Sequence, residues 1–263
     1  MVKELGKNRE NCKLVPNILD RMFGRFLNHA TIFVYHRVAN VSHDPHLLCV
    51  SLKNFENQIK YLKENFDVVP LSQIINNLKS HKIKNKTISI TFDDGYADNF
   101  YNALPILEKF NVCATIFVTT GNIDSQENFY WDKDTNKEDR GRSMTKKEIG
   151  KISAHNLIEI GAHTVNHPNL KKIDLNKQTL EIDTSKKALE NILGKKIDGF
   201  AYPFGSKNTF SKETIKAVKQ VGFRYACANT QKRIYSFSNV FAIPRILLRD
   251  WDTDILKEKF KNF

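Results

Sequence analysis

Two short segments carry most of the chemistry that this chain's residue types allow. Thr91-Phe92-Asp93-Asp94-Gly95-Tyr96 follows one apolar run, and Gly161-Ala162-His163-Thr164-Val165-Asn166-His167-Pro168 follows another. Two adjacent carboxylates at a strand end project in different directions, so one can hold a metal while its neighbour stays free to take a proton. Gly95 permits a sharp turn away from the strand. Asp-Asp-Gly by itself fits a capping turn equally well. The histidine pair changes that balance. Histidines four residues apart lie on one side of a helical turn and can converge on one ion, and Pro168 favours a tight loop there over a continuing helix. With Asp94 they make a set of two histidines and one carboxylate with open positions, the pattern of a catalytic rather than a structural zinc.

Such groups converge only if the chain brings several strand ends together. Apolar, β-rich runs at Thr31–His36, Asp67–Pro70, Thr87–Phe92, Ala114–Val118, Leu157–Ala162, Gly199–Pro203, Phe223–Ala228 and Phe241–Leu248 alternate with helical patterns. Those patterns cover Phe55–Phe66, Leu71–Leu78, Phe100–Phe110, Glu148–His155, Leu175–Leu193 and Ser211–Val221. The long helix 175–193 shows apolar positions at Leu180, Ala188, Leu189 and Ile192 and stops at Gly194, a good C′ residue. Strands alternating with helices predict parallel β-structure with helical crossovers, and seven or eight such units favour a closed barrel over a doubly wound sheet. Gly121–Ser143 is the one long polar loop. It carries Phe129-Tyr130-Trp131-Asp132, whose Trp131 is the best candidate for stacking on a sugar or, equally, for anchoring the loop. Trp251 is a second such aromatic.

From about Thr31 to Arg249 the chain resembles the NodB-homology polysaccharide deacetylases, carbohydrate esterase family four. The resemblance rests on the two segments above together with Tyr35-His36-Arg37-Val38, Ala114-Thr115-Ile116-Phe117-Val118 and Tyr202-Pro203-Phe204-Gly205, in this order. It implies a distorted (β/α)7 barrel and metal-assisted removal of N-acetyl groups. It assigns Asp93 as the base and Asp94, His163 and His167 as ligands of a divalent metal, zinc above all. It places an oxyanion donor at the backbone N–H of Phe204 and assigns Tyr202 and Pro203 to substrate binding. The substrate implied is an N-acetylated glycan or a lipid-linked saccharide.

The chain departs from the family pattern at two places. The third family motif usually begins with an arginine that orients the base, and here that position is Ala201. The Tyr-Pro-Phe/Tyr-Gly form also occurs in poly-N-acetylglucosamine-type deacetylases. The usual late histidine, the general acid, is missing, since no histidine follows His167. Arg245, in Ala242-Ile243-Pro244-Arg245-Ile246, could replace the missing cation or could be an ordinary surface or structural arginine. His36, ending the first strand, is a candidate acid or supporting group, against the reading of a buried and satisfied histidine. These departures keep two other functions open: a degenerate glycan-binding homologue, and a deformylase or deacylase of a lipid-linked amino sugar.

Composition sets the frame. The 263 residues suffice for one large α/β domain; 41% hydrophobic and 27% charged residues are ordinary for a globular protein. Cys12, Cys49, Cys113 and Cys227 form no CxxC pair, so neither a zinc knuckle nor a disulfide framework is indicated; Cys113 and Cys227 read as buried thiols. The net charge of +12 comes without a zinc finger, RNP motif or dense arginine cluster, so no nucleic-acid partner is expected. No run approaches the ~20 apolar residues of a membrane span, and Met1–Asn11 contains no apolar signal core, so a cytoplasmic protein, at the inner face of the membrane in one reading, is expected. Residues 1–29 read as a helical extension and 30–263 as the deacetylase domain. In the extension Val15, Ile18, Leu19, Met22, Phe23, Phe26 and Leu27 recur at helical spacing among Lys13, Arg21 and Arg25. That stripe fits a helix capping the barrel bottom or one making peripheral contact with anionic lipid.

Overall fold

In a computed structural model, which describes residues 27–125 and 127–260, the apolar runs become the staves of a barrel. The strands are β1 (His29–Tyr35), β2 (Arg37–Val38), β3 (Cys49–Val50), β4 (Asp67–Val68), β5 (Thr87–Phe92), β6 (Ala114–Val118), β7 (Ile158–Ala162), β8 (Gly199–Ala201), β9 (Tyr225–Ala228), β10 (Ile234–Tyr235), β11 (Ile243–Pro244) and β12 (Ile246–Leu247). The helices are α1 (Leu52–Asn65), α2 (Leu71–Lys79), α3 (Leu104–Phe110), α4 (Lys146–Ser153), α5 (Leu175–Leu193), α6 (Lys212–Gln220) and α7 (Thr253–Phe260).

Parallel pairing runs from β1 through β5, β6, β7 and β8 to β9. The ring closes through one interrupted segment: β11 pairs with β9 and β12 pairs with β1, both parallel. With β11 and β12 taken as one broken stave, this is the distorted (β/α)7 barrel that the alternation predicts. The doubly wound alternative fails because both edges of the sheet are joined. The break falls at Arg245.

β5 is buried along its whole length although Thr87, Ser89 and Thr91 alternate with apolar residues. Its two faces still differ. Ile32, Phe117, Ala201, Cys227 and Ile243, from five strands, cluster together. The alternating Phe33, Ile90, Ile116 and Val118 pack outward with Phe55 and Ile59 of α1 and Leu107 of α3. On β5 the second face carries Ser89, Thr91 and, one step beyond the strand, Asp93, all buried.

Several helices start where side chains satisfy their first N–H groups. Ser51 caps α1, and Thr145 with Glu148 and Ser211 with Thr214 form reciprocal caps on α4 and α6. The helix expected over Phe100–Phe110 opens with a π-helical turn, Asn99–Ala103. In α5 the expected apolar position Leu180 is exposed, and Ile182 and Leu189 face inward beside Gln178 and Ser185. The buried face of α5 is thus partly polar, which blurred its period. Gly194 ends α5 in the left-handed conformation, as read from sequence. Cys227 is a buried free thiol, whereas Cys113 is only half-buried. Of the helical extension expected over residues 1–29, residues 1–26 lie outside the described residues; Leu27 and Asn28 are not helical and His29 already opens β1. Among the described residues no helix is long and apolar enough to cross a membrane.

Strand register decides what meets at the barrel mouth. Tyr35 lies opposite Phe92, so His36 and Asp93 are neighbours just past the strand ends. Val118 lies opposite Ala162, which places His163 at the same level two staves further on.

Candidate active site

Asp93 extends β5 by one step, its N–H donating to the Tyr35 carbonyl at 3.0 Å. The chain then turns at Asp94, with φ +70°, and at Gly95, with φ +78°. The turn sends the two carboxylates apart. Asp93 faces the barrel interior, where Arg245 Nη1 and Nη2 donate to its two oxygens at 2.8 and 2.7 Å. Arg245 has 0% exposure; Nη1 also donates to Thr91 Oγ1 and Nε to Asn229 Oδ1, while the guanidinium sits 5.3 Å over the Phe117 ring. The reading of Arg245 as a surface arginine is thereby excluded. Burial would raise the Asp93 carboxyl, but the Arg245 guanidinium, with His163 and His36, outweighs it and holds the group well below the usual carboxylate range. Asp93 is therefore ionised at neutral pH, with its orientation fixed by a two-pronged ion pair.

Asp94 turns the other way, toward the histidines. His163 Nε2 lies 3.6 Å and His167 Nε2 3.7 Å from Asp94 Oδ1. One donor atom from each of the three residues falls within 4.8 Å of the others, and all three residues are buried. The set fits a divalent cation on two counts. Asp94 Oδ1 is buried and makes no hydrogen bond, an arrangement that is costly for an oxygen with no positive partner. His163 Nδ1 lies 2.8 Å from the Ala201 carbonyl, so it carries the proton and leaves the Nε2 lone pair facing Asp94. Burial, assisted by Asp93 and Asp132, pushes the Asp94 carboxyl well above its ordinary value, a trend that a bound cation would reverse. Burial also holds both imidazoles below their ordinary value, in the neutral form that ligates.

The histidines are presented by a loop, not by a helical turn. Thr164 and His167 have φ of +65° and +53°. Thr164 Oγ1 donates to the His163 carbonyl at 2.5 Å and accepts from the His167 N–H at 3.0 Å. Glu181 of α5 accepts from the Val165 and Asn166 N–H groups at 2.9 and 2.8 Å. Phe204 also has positive φ, +61°. Such conformations cost of order 1–3 kcal/mol each for non-glycine residues and persist where the surroundings over-determine them. Here they gather around Asp94, His163 and His167.

Phe204 exposes 42% of its surface, and its ring lies 4.7 Å from that of His167. Trp131 flanks the same imidazole at 4.5 Å. Two expected substrate contacts are corrected. Tyr202 is wholly buried: its ring stacks on Phe210 at 4.0 Å and its hydroxyl donates to the Phe241 carbonyl at 2.9 Å. Pro203 is buried as well. Both support the Phe204 turn from below and offer no surface to a sugar. Gly205 follows with φ +63°, where a Cβ would lie 2.5 Å from the Asn229 nitrogen.

His36 stands beside this centre with a buried Nδ1 that makes no hydrogen bond, so it is not a satisfied core histidine. Burial lowers it to about 4, opposed by Asp93 and reinforced by Arg245 and His163. Trp251 lies elsewhere, lining a cleft of about 440 Å³ with Asn40, Asp44, Arg249 and Asp250; Lys259 Nζ covers its ring at 4.6 Å. Tyr96 and Asp132 join the site from positions whose residue types alone suggest no role. The buried Tyr96 hydroxyl bonds to Asp132 and accepts from Trp131 Nε1–H at 2.8 Å. Their positions, directly after Asp-Asp-Gly and directly after Trp131, were the available signal.

Residues 80–226 match the sequence model of the family described as polysaccharide deacetylase. The poly-beta-1,6-N-acetyl-D-glucosamine N-deacetylase of Staphylococcus aureus (strain MRSA252) is 29% identical over 266 residues, covering 98% of this chain and 86% of its own length. In fold the chain is similar to the Streptococcus pyogenes deacetylase PplD, solved in complex with acetate. The TM-score is 0.72 at 21% identity, over 89% of this chain and 98% of that one. IcaB from Ammonifex degensii gives a TM-score of 0.71 at 20% identity, over 84% and 92%.

Proposed function

The chain belongs to the polysaccharide deacetylase family, and we propose that it is a metal-dependent hydrolase that removes N-acetyl groups from a poly-N-acetylglucosamine-type glycan. The observation that carries this reading is the pair of adjacent carboxylates in opposed environments. Asp93 is ionised and locked by Arg245, and Asp94 faces two neutral imidazoles. A binding module has no use for the first of these beside the second. Two departures motivate a non-catalytic reading, Ala201 and the missing late histidine; Arg245 answers the first by supplying a guanidinium to the same carboxylate from another stave. The substrate class follows the name of the Staphylococcus aureus relative, which aligns along nearly the whole chain.

Asp94, His163 and His167 would hold the divalent ion, zinc in our reading, which supplies Lewis acidity and lowers the pKa of water toward ~7. Asp93 accepts a proton from the attacking water. Its low proton affinity keeps it free for that task and makes it a weak base, so its contribution rests on position as much as on basicity. The Phe204 N–H donates to the acetyl oxygen as negative charge develops there, a contact typically worth ~3–4 kcal/mol. The proton taken by Asp93 can then pass to the departing sugar nitrogen; burial keeps His36 neutral beside it, so that imidazole carries no proton of its own to donate first. Phe204 and Trp131 form the apolar rim against which the acetamide methyl and sugar face can rest. The test is release of acetate and free amine from β-1,6-linked N-acetylglucosamine oligomers, run beside chitin oligomers and N-formylated amino sugars. Turnover of the first set supports the reading, and turnover of formyl substrates alone overturns it.

A further inference from the structure

Resting on the assignment of Asp94, His163 and His167 as metal ligands, we propose that Trp131 and Phe204 are positioning residues that clamp the His167 imidazole in its ligating orientation. A ligating histidine usually gives its second ring nitrogen to an acceptor, which fixes both tautomer and ring angle. His163 does so through Nδ1 and the Ala201 carbonyl at 2.8 Å. His167 does not: its Nδ1 is buried and makes no hydrogen bond. The polar contacts of His167 fix only its backbone, the N–H on Thr164 Oγ1 at 3.0 Å and the carbonyl on Tyr130 Oη at 3.2 Å.

The ring is held by aromatic contacts instead. Trp131 lies at 4.5 Å with a 50° tilt and Phe204 at 4.7 Å with a 60° tilt. Both geometries fall in the range of favourable aromatic pairs. Trp131 is itself immobilised on three sides. It stacks on Phe129 at 4.7 Å, its Nε1–H donates to Tyr96 Oη at 2.8 Å, and its carbonyl accepts from His46 Nε2 at 2.8 Å. Tyr96 belongs to the same turn as Asp94, so one segment supplies a ligand and anchors the clamp that orients another. The two histidines are therefore unequal: one is fixed by a carbonyl of the barrel, the other by side chains of two loops.

The experiment is zinc affinity of the full-length chain, measured by competition with a chromophoric chelator, with circular dichroism confirming the fold of each variant. Trp131→Ala is expected to weaken zinc binding 10- to 100-fold, the range for lost supporting contacts, with most of the affinity restored in Trp131→Phe. Phe204→Ala, which removes a ring that is 42% exposed and so spares the core, is expected to weaken it at least 5-fold and decides the matter if Trp131→Ala does not fold. Affinities within twofold of the parent in the folded variants would overturn the clamp. His163→Ala is the separate control. If it keeps parental zinc affinity, the ligand assignment itself is wrong; if it loses zinc while the clamp variants do not, only the clamp is refuted.

Discussion

Arg245 grips Asp93 from the stave that closes the barrel: Nη1 and Nη2 donate to Oδ1 and Oδ2 at 2.8 and 2.7 Å, and neither side chain reaches solvent. The residue sits in the gap between β11 and β12, so the distortion of the barrel and the orientation of the candidate base share one origin. Arg245→Ala leaves a buried carboxylate without its partner, and a loss of about 3–5 kcal/mol is expected. Arg245→Lys keeps the charge but loses the planar fork. Its kcat should fall with little change in KM, and its melting temperature should drop less than that of the alanine variant. Parental kcat in Arg245→Lys would show that the fork does not orient the base.

Asp93→Asn is nearly isosteric but not electrostatically neutral, because it strands the Arg245 guanidinium in the barrel. Turnover should fall by roughly 10²–10⁴, the usual loss of a general base, and denaturant unfolding should show clear destabilisation. Metal stoichiometry should stay near that of the parent. Loss of metal together with activity would make Asp93 a ligand and refute its separate role.

The barrel was legible because its staves are short apolar runs between good helix caps; Thr87–Phe92, Ala114–Val118 and Leu175–Leu193 match the expected limits without change. The candidate site was legible where its residues lie in contiguous segments, as in Asp93-Asp94 and His163 to His167. What escaped depends on which way a side chain points at a strand end. Tyr202 lies one residue past β8 and looked like part of a binding motif, yet it faces the outer layer and packs on Phe210. Arg245 could be named as a candidate, but its contact with Asp93 exists only because the last stave breaks there. The aromatic surroundings of His167 come from residues 131 and 204, too far apart in sequence for any local pattern to join them.

The corrected place of Tyr202 has a consequence. Tyr202→Phe removes one hydrogen bond to the Phe241 carbonyl, so stability should fall by about 1 kcal/mol while KM for the glycan stays unchanged. A raised KM at unchanged melting temperature would return Tyr202 to the substrate surface.

Acid stability should report on Glu148. Its carboxylate is held by Arg142, and also by Tyr101 and the Thr145 N–H, which lower it from 4.5 to about 2. A depressed carboxyl stabilises the fold fully above its unfolded value, and that stabilisation is lost as pH falls through the folded value. Chemical denaturation from pH 5 down to about 2 should therefore show declining stability, with a shallower decline in Glu148→Gln. Identical slopes in parent and variant would place the acid sensitivity elsewhere.

The central claim is that this chain de-N-acetylates a glycan with the help of an ion held by Asp94, His163 and His167. The most direct measurement is the rate of free-amine formation from β-1,6-linked N-acetylglucosamine oligomers, using purified full-length protein before chelation, after chelation and after zinc is returned. Turnover is expected to be lost on chelation, to recover with zinc, and not to recover in His163→Ala. Turnover that survives complete metal removal, or no amine release by metal-loaded protein, would contradict it.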